Sequence, residues 1–169
     1  FEILHLNKAI DKGYVRSKKA LIGALAELII PATDTPGALD ANVADYIILA
    51  VSEQLPRKEA NNFIGGLKEI EEVCRRKKNK DFLACNKEDQ TDILLQVREL
   101  NQHARGQLLH KIERKLRGAT FFETLKELTV YGFCTSEVGA TKALRYILIP
   151  TQYDPCMPLE KEQPCWATK

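Results

Sequence analysis

The 169-residue chain reads as an all-α protein, a single-domain helical bundle of about six helices with an irregular C-terminal tail containing proline and cysteine. Three observations predict this. Apolar residues recur at three- and four-residue spacing in one segment after another, the pattern of helices that bury one face. The apolar/polar alternation of a half-buried strand is nearly absent, since its one candidate, residues 146–149, is short and adjoins Pro150. Finally, Pro150, Pro155, Pro158 and Pro164 keep the end of the chain out of regular structure. The length suits one domain. The expected organisation is an N-terminal extension over residues 1–16, a helical domain over 17–146 and a tail over 147–169 packed on the domain or on a partner.

The elements follow in order. Ser17 is the expected cap of a first helix with Leu21, Ile22, Leu25, Leu28 and Ile29 on one face, ended by Pro31. Residues 31–37, Pro-Ala-Thr-Asp-Thr-Pro-Gly, combine fixed proline torsions, short side chains that bond nearby backbone, and a permissive glycine, so an ordered turn is expected. Within it, Asp34 is expected to stabilise the turn. Asp40 is the expected cap of a second helix carrying Val43, Ile47, Ile48 and Val51. Pro56 suits the first turn of a third, with Phe63, Ile64, Leu67, Ile70 and Val73. Residues 75–80 form a basic run that reads as a solvated loop, neutralised locally by Glu88 and Asp89. Asn86 caps a fourth helix with Ile93, Leu94, Val97 and Leu100, which breaks near Gly106 and resumes through Leu108, Leu109, Ile112 and Leu116. Thr120 and Glu123 have the spacing of a capping box ahead of Phe121, Phe122, Leu125 and Leu128. Thr135 or Ser136 caps a last helix reaching Arg145.

Charge and composition exclude several functions. With 25 Lys plus Arg against 23 Asp plus Glu, the net charge of +2 favours neither nucleic acid nor an anionic membrane as a partner. No apolar run approaches the roughly 20 residues that span a bilayer, so no transmembrane segment and a soluble chain are expected. The chain opens at Phe1 and its one methionine is Met157, so the translation start and any export signal are expected upstream. None of the nine glycines forms a GxGxxG turn or a P-loop, the routes by which backbone amides approach a pyrophosphate. His103 and His110 are two helical turns apart, too far to share a metal directly, so no metal site is expected. No CxxC or CxxCH occurs, which excludes a thioredoxin-type pair and c-type haem attachment in this chain. Cys134 with a distant histidine is an arrangement that chance supplies, and no nucleophile with its base and orienting group is evident, so no catalytic residue is assigned.

Four of the five cysteines fall into close pairs, Cys74 with Cys85 and Cys156 with Cys165. These are disulfide candidates if the compartment is oxidising, and each would clamp a short loop. The other reading is that all five are small apolar residues of a reduced protein.

Three segments together resemble the gluconate 2-dehydrogenase subunit 3 family: Ala24-Leu25-Ala26-Glu27-Leu28-Ile29-Ile30-Pro31-Ala32-Thr33-Asp34-Thr35-Pro36-Gly37-Ala38; then Phe121-Phe122-Glu123-Thr124-Leu125-Lys126-Glu127-Leu128-Thr129; then Thr135-Ser136-Glu137-Val138-Gly139-Ala140, with the tail Tyr153-Asp154-Pro155-Cys156-Met157-Pro158-Leu159. The first and third are specific, and the second is a generic amphipathic helix. The resemblance implies a helical small subunit, itself without cofactor or catalytic role, partnered with a large flavoprotein of the glucose-methanol-choline type. The FAD would lie in that partner and pass electrons towards the haem of a cytochrome c. It implies export to the periplasm by the twin-arginine route, with this subunit escorting and stabilising a dehydrogenase for gluconate, other sugars, polyols or glycosides. The alternative is a free-standing periplasmic helical binding module without a dehydrogenase partner.

Cys134 departs from the family pattern, which expects an aromatic or aliphatic residue there, and is either a buried small side chain or a link to the partner. The expected partner-binding residues are Thr33, Asp34, Thr35, Pro36 and Gly37 in the rigid turn, and Tyr153, Pro155 and Trp166 in the tail, since preorganised loops and aromatics lose little entropy on docking. The turn could instead only join two helices, and Trp166 could fold back on its own domain.

Overall fold

The computed structural model describes residues 9–100, 117–147, 156, 158, 161 and 163–167. Among these residues the regular structure is helical, and the one β feature is an isolated parallel bridge between Arg145 and Trp166. Six α-helices are present there: α1 (Lys12–Ser17), α2 (Lys19–Ile29), α3 (Val43–Leu49), α4 (Arg57–Lys78), α5 (Lys87–Leu100) and α6 (Phe121–Thr135). A π-helical turn, Ala50–Gln54, extends α3, a short 3-10 turn, Phe82–Ala84, precedes α5, and a second π-helical turn, Gly139–Ala143, follows α6.

The apolar stripes meet in one core. Ile22 and Leu25 of α2, Ile47 of α3, Phe63, Leu67 and Ile70 of α4, Ile93 of α5 and Leu125 of α6 are all fully buried. Each such side chain contributes roughly 1.5–3 kcal/mol through apolar area removed from water. Helix α6 touches α2, α3, α4 and α5 and so occupies the centre of the bundle. It packs against α4, where the Phe63 and Phe121 ring centroids are 5.3 Å apart. Gly66 permits that approach, because a Cβ there would stand 2.1 Å from Phe121 Cγ. At the neighbouring Gly65 a Cβ would meet nothing within 4 Å.

Several helix ends agree with the sequence reading. Asn86 Oδ1 accepts from Asp89 N at 2.7 Å. The capping box is complete: Thr120 Oγ1 accepts from Glu123 N at 3.3 Å, and Glu123 Oε2 accepts from Thr120 N at 3.0 Å. Ser136 is the cap of the last helical segment, its Oγ accepting from Gly139 N at 2.9 Å, while Thr135 Oγ1 donates to Tyr131 O.

Other expectations are corrected. Ser17 caps nothing; it lies at the end of α1 and its hydroxyl donates to Tyr14 O. Packed helix begins at Lys12, inside the stretch expected to be an extension, because Asp11 caps α1 and Val15 is fully buried. Asp40 does not cap α3, whose N-cap is Asn42 in the left-handed region at φ 51°. The basic run is not wholly loop: residues 75–78 form the last turn of α4, where positive charge complements the helix dipole. Lys78 Nζ lies 2.5 Å from Asp89 Oδ1, the local neutralisation expected. Leu100, assigned to a buried face, is 59% exposed. Val51 is buried but belongs to the π-helical turn, and the last segment leaves helical geometry after Ala143, before Arg145. The break at Gly106, the helix through Leu116, and His5, His103 and His110 lie outside the described residues.

Candidate partner interface

The turn between α2 and α3 is built by a side chain that precedes it. Glu27, in the last turn of α2, accepts from Ala32 N at 2.8 Å through Oε1 and from Leu39 N at 3.0 Å through Oε2. One carboxylate thereby joins both legs of the turn with charge-assisted bonds, stronger than neutral ones. Asp40 Oδ2 accepts from Gly37 N at 3.1 Å, and Ala38 N donates to Ile30 O at 2.9 Å. At the tip, Thr33 N donates to Thr35 O at 3.0 Å.

Gly37 is buried, and a Cβ on it would stand 2.5 Å from Ala32 N and 2.7 Å from both Glu27 oxygens. The glycine therefore permits the carboxylate's approach and offers no side chain to a partner. Thr33, Asp34 and Thr35 are exposed and Pro36 is half-buried. The expectation that Asp34 stabilises the turn is corrected: Glu27 and Asp40 supply the carboxylates that do so. The bonds of Glu27 run to amides five and twelve residues ahead, a spacing with no sequence signature, and its place in the segment 24–38 is the one signal for it.

The expected interface residues of the tail divide. Tyr153 and Pro155 lie outside the described residues. Trp166 has the Arg145 guanidinium 4.6 Å from its ring centroid. Arg145 N donates to Cys165 O at 2.8 Å and Ala167 N donates to Arg145 O at 2.9 Å. The indole remains 40% exposed.

A second surface was not expected. On the outer face of α6, Lys126, Leu128, Val130, Tyr131 and Cys134, with Tyr46 of α3, line an open groove of about 760 Å³. The Tyr46 and Tyr131 ring centroids are 5.8 Å apart, and Tyr131 is 60% exposed. Burial, and then Tyr131 beside it, push the Tyr46 hydroxyl pKa up, which favours its neutral form. Cys134 is half-buried on this wall. Tyr46 and Tyr131 are of the aromatic type enriched at interfaces, and the charged Glu123, Lys126 and Glu127 flank them.

All five cysteines are free thiols; Cys74 and Cys85 have their sulfurs 3.3 Å apart, and Cys156 and Cys165 are exposed. Among the described residues no group of three or more His, Cys, Asp or Glu side chains gathers to hold a metal. No described helix is long and apolar enough to cross a membrane.

The fold and surface define a small helical domain that displays one pinned, solvent-facing turn and one exposed aromatic groove. The family model described as gluconate 2-dehydrogenase subunit 3 matches residues 16–151, and the chain belongs to that family. The family's name is that of a subunit of a dehydrogenase complex, which implies a dehydrogenase partner. No curated protein and no solved structure matches the chain.

Proposed function

We propose that this chain is the non-catalytic small subunit of an exported FAD-dependent dehydrogenase, which it escorts and stabilises. The partner is a large flavoprotein of the glucose-methanol-choline type acting on a sugar, polyol or glycoside, in the manner of a gluconate 2-dehydrogenase or a glucoside 3-dehydrogenase. The FAD resides in that partner, and electrons leave it for the haem of a cytochrome c. The site of action is the periplasm, reached by the twin-arginine route, which carries folded proteins and so lets one signalled subunit carry another.

The observation that carries this reading is membership of a family named for a dehydrogenase subunit. The pinned turn supports it, because a loop already held by Glu27 loses little conformational entropy when Thr33, Asp34 and Thr35 meet a partner. The exposed Tyr131 supports it as well, since tyrosine is enriched among the residues that carry interface binding energy.

The test is to co-express the full-length protein with the flavoprotein encoded beside it, purify through a tag on this chain, and record the visible spectrum and sugar-dependent dye reduction. A co-eluting flavin, with activity that collapses when this chain is omitted, is the expected result. A stable, colourless, solitary protein would overturn the reading and leave a free-standing binding module. In the same assay Asp34→Lys and Tyr131→Glu, at exposed positions, are expected to weaken association by about tenfold or more while leaving the helical circular dichroism unchanged.

A further inference from the structure

The strongest chemistry outside the partner-facing surfaces lies where α4 gives way to α5. Cys74, near the end of α4, is fully buried, whereas Cys85, closing the 3-10 turn, is half-buried and open to solvent. Their sulfurs are 3.3 Å apart across a loop of the chain. Both are held in place. Cys74 Sγ donates to Lys80 O at 3.2 Å and Cys85 Sγ to Asp81 O at 3.6 Å. From the other side Gln90 Nε2 donates to Phe82 O at 2.9 Å and to Cys85 O at 3.2 Å, fixing the backbone that carries Cys85. Phe82 anchors the same turn in the core.

We propose that Cys74 and Cys85 are a redox pair that closes to an intrachain disulfide by exchange with an external disulfide, Cys85 reacting first. The Cys85 thiolate attacks one sulfur of the external disulfide, forming a mixed disulfide and releasing one external thiolate. Cys74 then gives its proton to the departing group as its sulfur attacks Cys85 Sγ, so the second external sulfur leaves as a thiol. The first external thiolate takes up the proton that Cys85 lost on ionising. Two protein thiols are oxidised and one external disulfide is reduced to two thiols.

The order follows from access, because an external reagent reaches the half-buried sulfur and not the buried one. It also follows from proton affinity: burial, reinforced by the neighbouring Cys85 and by Asp81 and Asp89, pushes the Cys74 thiol up to about 11. Cys74 is thus a poor initial nucleophile at neutral pH but is already placed against the sulfur it must attack. Closing the bond requires the sulfurs to approach from 3.3 Å to about 2.0 Å. The product joins the C-terminal end of α4 to the end of the 3-10 turn that precedes α5.

This inference does not depend on the subunit reading, and its test uses this chain. The full chain, reduced and then freed of reductant under native conditions, is incubated with oxidised glutathione, alkylated, digested without reduction and mapped by mass spectrometry. The expected product is a peptide pair linked through Cys74 and Cys85, melting roughly 5–10 °C above the reduced chain. Cys74→Ser is expected to stop with glutathione on Cys85, and Cys85→Ser to leave Cys74 unmodified. A wild-type chain that retains glutathione on Cys85 with Cys74 open to alkylation overturns the proposal. So does a link from Cys85 to Cys134, Cys156 or Cys165, or a pair left untouched. The wild-type map decides the matter even where a serine variant fails to fold.

Discussion

Between α2 and α3 the chain is turned by a carboxylate that accepts from two backbone amides, and between α4 and α5 by an amide that donates to two backbone carbonyls. Glu27 reaches forward from the helix before its turn; Gln90 reaches back from the helix after its own. Each turn also contains one asparagine in the left-handed region, Asn42 at φ 51° and Asn79 at φ 52°. The two junctions share a geometric solution but differ in charge and in what they leave outside. The first holds its amides inward with a negative charge and exposes Thr33, Asp34 and Thr35. The second holds its carbonyls inward with a neutral group and keeps two thiols beside them.

Charge-assisted bonds are roughly twice as strong as neutral ones, so the first turn should depend more on its organiser. The largest effect is expected from Gly37→Ala, whose Cβ would displace either Ala32 or the Glu27 carboxylate; about 2–4 kcal/mol of stability should be lost in urea unfolding. Glu27→Ala leaves the Ala32 and Leu39 amides without their acceptor and should cost about 2 kcal/mol. Gln90→Ala should cost about 1 kcal/mol by the same measurement. If Gln90→Ala proves as damaging as Glu27→Ala, charge is not what separates the two turns. Smallest, and opposite in sign, are Asn42→Gly and Asn79→Gly: removing Cβ at a positive φ should raise stability by a few tenths of a kcal/mol, to about 1 kcal/mol at most. A larger gain at one site would show more backbone strain in that turn.

The same comparison marks what was legible in the sequence. Helix faces were, because burial of Leu25, Phe63, Ile70 and Leu125 requires only three- and four-residue spacing. The capping box was legible because both partners lie within four residues. Ser17 and Asp40 misled because a short polar residue before an apolar run has several uses: Ser17 bonds back into α1, and Asp40 holds the Gly37 amide. The basic residues 75–78 look solvated in either state, and they are exposed on a helix that continues beneath them. Glu27 joins amides five and twelve residues away, a spacing with no periodic signature. The groove at Tyr46 and Tyr131 needed two helices to be placed side by side. The contact of Trp166 with the Arg145 guanidinium joins residues 21 apart across an irregular tail, which periodicity does not report.

The central position of α6 bears on the order of synthesis. A nascent chain halted before Phe121 would have made α1 to α5 and still lack the helix that touches four of them. The face of α4 around Phe63 and Gly66 would remain wet, with no ring to cover it. Because the contacts that complete the core join residues far apart in sequence, the loop-closure cost falls late, when α6 leaves the ribosome. Until then the emerging segments expose apolar stripes of the kind that chaperones bind.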